Sequence, residues 1–318
     1  MANDLLAGLV HLNLAAAAAV LAVLALRPLT RRPFGAELTY GLWACVPIAA
    51  VATLIPAAAA TRIVAPGVGP HFDPVYVASR ALAEAPAALL IGVWAIGAAA
   101  WAASLAMGQL RFLDLAREGL AGPAVAGVIA PRIVMPADAD RLYSDDERAL
   151  IRAHERTHIV RGDPRANALI ALAQCLCWFN PLVHLAAHQA RLDQELACDA
   201  TVLRHRAGQK RRYAETLLKT QLGAVAAPLG CHWLAGSASH PLEQRIAALR
   251  QPMPTFQRRD LGALALAAMV ALSAFVAWKA QPMAEAQGMP PILVAVPSPA
   301  PHVQLTIVRW SHYYAARR

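Results

Sequence analysis

The pentapeptide His154-Glu155-Arg156-Thr157-His158, within the charged run RLYSDDERALIRAHERTHIVRGD, has the composition of a metal site. On a helix, residues four apart share a face. His154 and His158 can therefore present two imidazoles to one Zn²⁺ ion, with Glu155 beside them as a general base. That is the ligand and base arrangement of a zinc hydrolase. The motif alone does not decide the matter, because a solvated helix that happens to carry two histidines reads the same way.

Such a motif acts only if its surroundings fold to present it. Asp145, Asp146 and Glu147 crowd a first helical turn behind Ser144, a natural N-cap, and acids there suit the positive end of the helix dipole. Apolar Leu150, Ile151, Ala153 and Ile159 continue through the run, and Gly162 then Pro164 predict its end. A third ligand has to come from elsewhere in the chain. The stretch RLDQELACDATVL offers Glu195 and, one turn later on the same face, Asp199. Glu195 would complete a His/His/Glu set with the fourth position left to water. Asp199 could accept the second ring N–H of a ligand histidine and fix its tautomer. The competing reading is a surface helix with ordinary acids.

Together, HERTHIVRGD, FNPLVHLAAHQARLDQELACDATVL and RRYAETLL resemble the membrane-embedded metallopeptidases of the BlaR/MecR antirepressor type. The likeness runs over approximately residues 1 to 278, and HExxH followed by NPL and E-x-x-C-D is a specific combination. It implies a gluzincin-like zinc site with His154, His158 and Glu195 as ligands, Glu155 as general base and Asp199 behind them. It also implies a relay from an external signal to proteolysis of a cytoplasmic transcriptional repressor, with cleavage of the protease itself as a further family trait. The β-lactam receptors of that family carry a penicillin-binding sensor domain beyond their last span. The 40 residues after Trp278 here hold no S-x-x-K and are too few to build one, so a β-lactam stimulus does not follow.

Composition calls for a membrane. The 318 residues are 58% hydrophobic with a mean hydropathy of +0.41, too apolar for an ordinary soluble domain. Four spans are expected, over residues 5–26, 38–60, 86–108 and 261–278, the second with kinks at Pro47 and Pro56 that neighbouring helices can tolerate. The first is followed, not preceded, by basic residues, which predicts a retained helix with its N-terminus outside. Of the 29 Lys and Arg, 20 fall in residues 109–260 and only 2 in residues 61–85, read as an external loop. This places residues 109–260 in the cytoplasm and the C-terminus outside, in a bacterial-type inner or plasma membrane. It also accounts for the net charge of +9 without nucleic acid, for which no binding motif is present. His11 and Asn13 inside the first span are read as helix-contact residues.

The segment 166–187 would pass for another span by hydropathy. Were it to cross, His158 and Glu195 would lie on opposite faces of the bilayer and could not share an ion. The zinc reading therefore requires it to turn back or lie against the bundle, and Asn180-Pro181 supplies the break. Residues Val125 to Met135 suggest a small β ribbon, either a rail for an extended substrate or a packing element. His184 and His188 are also four apart but lack an adjacent Glu, and read as site-lining residues rather than a second metal pair. Cys175, Cys177, Cys198 and Cys231 form no CxxC pair and read as reduced packing residues. The basic run Arg204 to Lys219 fits a solvated helix face, an anionic-lipid contact or a self-cleavage loop.

The expected architecture is mainly α: a polytopic helical membrane protein with a cytoplasmic gluzincin-like zinc protease unit containing a small β ribbon. Residues 1–108 form three transmembrane helices, 109–260 the protease unit, 261–278 the fourth helix and 279–318 a short external Pro-rich tail. The expected function is zinc endopeptidase in a signalling relay. Tyr213, His184, His188 and Arg191 are candidates for oxyanion or substrate contacts. A quality-control protease of the HtpX type and a non-catalytic membrane scaffold are the alternatives.

Overall fold

Long runs of Ala, Leu and Val leave the backbone in lipid no means of satisfying its polar groups except a helix or a closed barrel, and this chain takes the helix. The structure is a computed structural model and describes residues 2–55, 86–223, 241–281, 292–296 and 304–308. The segment read as an external loop, Cys231 and most of the C-terminal tail lie outside these residues.

Among the described residues, three helices are long and apolar enough to span a bilayer: α1 (Ala2–Phe34), α4 (Ala87–Arg117) and α11 (Phe256–Lys279). On α4 and α11, Leu89, Val93, Ile96, Leu264 and Phe275 point outward, a surface suited to lipid contact. The second expected span differs. It is a shorter path built from α2 (Ala36–Gly41), a 3₁₀ turn (Leu42–Ala44) and α3 (Cys45–Ala52), and its last predicted residues fall outside those described. The tightened turn holds Trp43, whose carbonyl would be the helical acceptor for residue 47. That residue is proline, which has no N–H to give.

A β ribbon follows α4, with β1 (Ala124–Ala126) antiparallel to β2 (Arg132–Val134) and Val125 opposite Ile133. It packs against α6. Next come the short α5 (Ala139–Leu142), α6 (Asp145–Arg161), α7 (Asp163–Leu176) and α8 (Pro181–His205). After a 3₁₀ turn, α9 (Lys210–Gly223) and α10 (Pro241–Leu249) complete the unit. In the tail, β3 (Ile292–Val296) pairs antiparallel with β4 (Gln304–Val308). The chain is thus a mainly α membrane protein with a small β ribbon beside its HExxH helix.

The doubtful apolar segment is a helical hairpin. α7 ends at Leu176 and α8 starts at Pro181, with Asn180 as N-cap accepting the Leu182 N–H at 3.0 Å. Two tryptophans satisfy polar groups around the tip: the Trp94 indole donates to the Leu176 carbonyl at 2.8 Å and the Trp178 indole to the Trp94 carbonyl at 3.1 Å. Gly97 makes this approach possible, since a Cβ there would meet the Trp178 ring at 2.1 Å. Asn13 of α1 accepts from Asn180 at 3.4 Å, which gives the intramembrane polar residue a helix-contact role.

Two cores meet on α8. Its first half contributes Ala186 and Ala190 to a bundle core with Val20, Val23, Leu42, Trp43 and Cys45. Its second half contributes Val202 and Leu203 to a core with Leu150, Tyr213, Leu217 and Leu249 from α6, α9 and α10. Between the two lies Asp193, 1% exposed. It accepts from Arg27 at 2.6 and 2.8 Å, from Arg31 at 2.7 Å and from the Trp43 indole at 2.8 Å. Membrane helix and site helix are therefore joined by a buried carboxylate two residues before Glu195.

Candidate metal centre

The HExxH helix is fixed at both ends by local chemistry. At its start, the Ser144 hydroxyl accepts the Glu147 N–H at 3.3 Å and the Glu147 carboxylate accepts the Ser144 N–H at 2.8 Å, a capping box. At its end, Gly162 adopts φ 77°, the left-handed conformation that glycine takes without penalty. This one-residue turn starts α7 at Asp163 and folds that carboxylate back onto the helix just finished.

His154 and His158 then face one point. Their Nε2 atoms are 3.1 Å apart, with the rings at 82°. From α8, Glu195 brings Oε2 to 3.3 Å from the His154 Nε2 and Oε1 to 3.4 Å from the His158 Nε2. Tetrahedral zinc with bonds of about 2.0–2.1 Å places its donors about 3.3 Å from one another, so the three donor groups have the spacing the ion requires. Glu155 is buried at the same helix turn.

The far side of each ring decides which nitrogen faces the centre. The His158 Nδ1 lies 2.6 Å from the Asp163 carboxylate, which can only accept, so the proton sits on Nδ1 and the Nε2 lone pair is free. The His154 Nδ1 lies 2.8 Å from the Tyr213 hydroxyl, which donates its own proton to Asp199 at 2.6 Å, giving the same tautomer. Two lone pairs and a carboxylate therefore converge, an arrangement that calls for a cation between them.

The charges agree. Burial works against protonation of His158, yet the carboxylates of Glu195 and Asp163 push its pKa up to about 10. His154 is likewise held well above its ordinary value, with burial outweighed by Tyr213, Cys198 and Asp199. A field that holds a proton this firmly also favours a metal ion at the same lone pairs. Burial raises the Glu155 carboxyl above the ordinary range, against the pull of the two imidazoles. Burial would raise Glu195 too, but Arg245, His158 and His154 hold it well below.

Cys198 offers a second donor set, because with His154 and His158 its potential ligand atoms all lie within 4.8 Å of one another. We favour Glu195 on distance. The Cys198 thiol is fully buried and donates to the His154 carbonyl at 3.3 Å, bracing the backbone behind the ring.

The remaining candidates are spread out. Tyr213 lies behind His154, on the face away from the donor centre. His184 is at the hairpin tip, Nε2 at 2.8 Å from the Trp178 carbonyl and Nδ1 at 3.2 Å from Gln174, with its ring against Trp101. His188 is on α8 about 10 Å along the axis from Glu195. Arg191 is one turn before Glu195 and donates to Gln174 at 3.2 Å. Asp199 Oδ1 lies 3.4 Å from the His154 Nδ1 but does not take its N–H directly: the Tyr213 hydroxyl stands between them, 2.8 Å from Nδ1 and donating to Asp199 at 2.6 Å.

Two residues at the centre escaped the sequence reading. Asp163 follows the glycine that ends the HExxH helix, a placement that folds it back. Arg245 shares the stripe of Leu242, Ile246 and Leu249 in α10, a cation on the apolar side of an amphipathic helix. It donates to Asp199 from Nε at 2.8 Å and Nη2 at 2.7 Å, and its Nη1 pairs with Glu195 Oε2 at 2.9 Å.

The family model of BlaR1 peptidase M56 matches residues 7–112 and 101–249. The regulatory protein BlaR1 of Bacillus licheniformis is 35% identical over 98 residues, 30% of this chain and 16% of that protein. The methicillin resistance mecR1 protein of Staphylococcus aureus is 31% identical over 104 residues, 31% of this chain and 17% of that protein. The aligned region thus spans about a sixth of these relatives' length. No solved structure matches. With the family model covering most of its length, the chain belongs to the BlaR1 peptidase M56 family.

Proposed function

We propose that this protein is an integral membrane zinc endopeptidase of a signalling relay, whose substrate is a cytoplasmic transcriptional repressor and which also cleaves itself. One observation carries the proposal: two imidazole lone pairs and the Glu195 carboxylate converge at 3.1–3.4 Å beside a buried Glu155. His154, His158 and Glu195 would hold the ion. Zinc bound there supplies Lewis acidity for a scissile peptide carbonyl.

The chain's own groups do the rest. Glu155 takes a proton from the attacking water and passes it to the leaving amine, a role suited to a carboxyl whose pKa burial has raised. Asp163 and the Tyr213–Asp199 pair keep both rings in the tautomer that leaves Nε2 available. The β ribbon packed on α6 offers a strand edge for an extended substrate.

The proposed catalytic unit is residues 109–260, on the cytoplasmic side of four crossings with both termini outside. The charge distribution supports this orientation, and the α7–α8 hairpin lets His158 and Glu195 share one side. The names of the relatives, a regulatory protein and a resistance protein, support signalling over quality control.

The Glu155→Gln variant tests the reading. In full-length protein, zinc content should be unchanged, while cleavage of labelled casein and of the chain itself should fall at least about 100-fold. Undiminished cleavage in that variant would assign the proteolysis to another enzyme and leave this chain a scaffold.

A further inference from the structure

Among the contacts around the centre, one residue joins parts that are otherwise supported separately. We infer that Arg245 is a positioning residue of the metal centre: its guanidinium ties Glu195 to Asp199 and closes a ring of contacts that runs through the His154 imidazole. The inference rests on the zinc reading given above.

The geometry uses the whole guanidinium fork. Nε and Nη2 lie side-on to Asp199 at 2.8 and 2.7 Å, and Nη1 reaches Glu195 Oε2 at 2.9 Å. Asp199 accepts from Tyr213, Tyr213 meets the His154 Nδ1, and the His154 Nε2 faces Glu195 Oε2, which returns to Arg245. The orientations of Glu195 and His154 are thereby referred to one planar group. Arg245 is 5% exposed, so water competes little for its hydrogen bonds.

Glu195 needs such a hold more than its neighbour does. Its side chain is 33% exposed against 2% for Asp199, and an unrestrained glutamate has several rotamers available. The two carboxylates also sit at i and i+4 on α8, where like charges repel and would turn Glu195 away from the centre. A cation between them removes that repulsion. Only a planar fork can at the same time fix the angle of both carboxylates; a lysine ammonium supplies the charge at a single point. By this account α10 serves the site as well as the core to which Leu249 belongs.

The test uses full-length protein in detergent micelles, with Zn²⁺ competed against a chromophoric chelator. Arg245→Lys, which keeps the charge and loses the fork, should lower zinc affinity 10- to 100-fold, the range for residues that support a ligand. The melting temperature of its metal-free form should stay within a few degrees of the parent. Substituting Co²⁺ gives a visible spectrum sensitive to donor geometry, and that spectrum should shift in the variant. Arg245→Ala should lose at least as much affinity.

Zinc affinity within twofold of the parent in both variants would overturn the inference while leaving the metal site standing. So would failure of both variants to fold, which would make Arg245 an anchor of α10 alone. A parent protein that binds no zinc, or one that binds it equally well after His154→Ala, would instead remove the reading beneath the inference.

Discussion

At the scale of single residues, the far nitrogen of each histidine matters as much as the near one. His158 keeps its Nε2 lone pair only because Asp163, 2.6 Å from Nδ1, holds the proton on the other side. Asp163→Asn offers either a donor or an acceptor there and loosens that choice, so zinc affinity measured by chelator competition should fall 10- to 100-fold. Unchanged affinity would mean the tautomer is set by something else. His154, His158 and Glu155 stood out as candidates by spacing, since HExxH is a local pattern. Asp163 was hidden because its role depends on the left-handed turn at Gly162. Arg245 was hidden because its partners lie about fifty residues upstream and its helix already had an explanation as a short amphipathic segment.

At the scale of elements, the decisive piece is α8, shared by the membrane bundle and the core beside the candidate site. Its junction is Asp193, which gathers Arg27, Arg31 and Trp43 from the membrane helices. Asp193→Ala strands a largely buried Arg27, and breaking a buried pair from one side costs about 3–5 kcal/mol. Arg31 is more exposed and can relax toward water, so a loss near about 3 kcal/mol, read as a fall in melting temperature, is expected.

The start of α6 gives a pH-dependent prediction. The Lys219 ammonium and then the Ser144 N–H hold the Glu147 carboxyl below its ordinary pKa. A depressed carboxylate pKa contributes stability that is complete above the unfolded value, about 4.3, and is lost as pH falls through the folded value. Glu147→Ala should therefore cost about 1 kcal/mol at neutral pH. Its melting temperature should approach the parent's as pH drops below about 4. A gap that widens in acid would contradict this. The hairpin between α7 and α8 was legible, because Asn180-Pro181 breaks a helix and one ion cannot be shared across a bilayer. In the second span the kink was legible, because Pro47 has no N–H to give, but the 3₁₀ turn ahead of it and the shorter path were not, since hydropathy registers only the length of an apolar run.

At the scale of the whole molecule, the membrane bundle and the proposed protease unit form one connected structure. The three long apolar helices were evident from run length, and the positions of the basic residues support the proposed orientation. What sequence could not supply is the joint between the two parts. That joint is made of pairs 166 and 150 residues apart, Arg27 with Asp193 and Trp43 with Asp193, which no local pattern reveals.

The most direct test of the account is the metal content of full-length protein purified in detergent and supplied with zinc. The account predicts about one zinc per chain, lost in each of His154→Ala, His158→Ala and Glu195→Ala while the helical circular dichroism is retained. A parent protein without zinc, or zinc retained by all three variants, would contradict it.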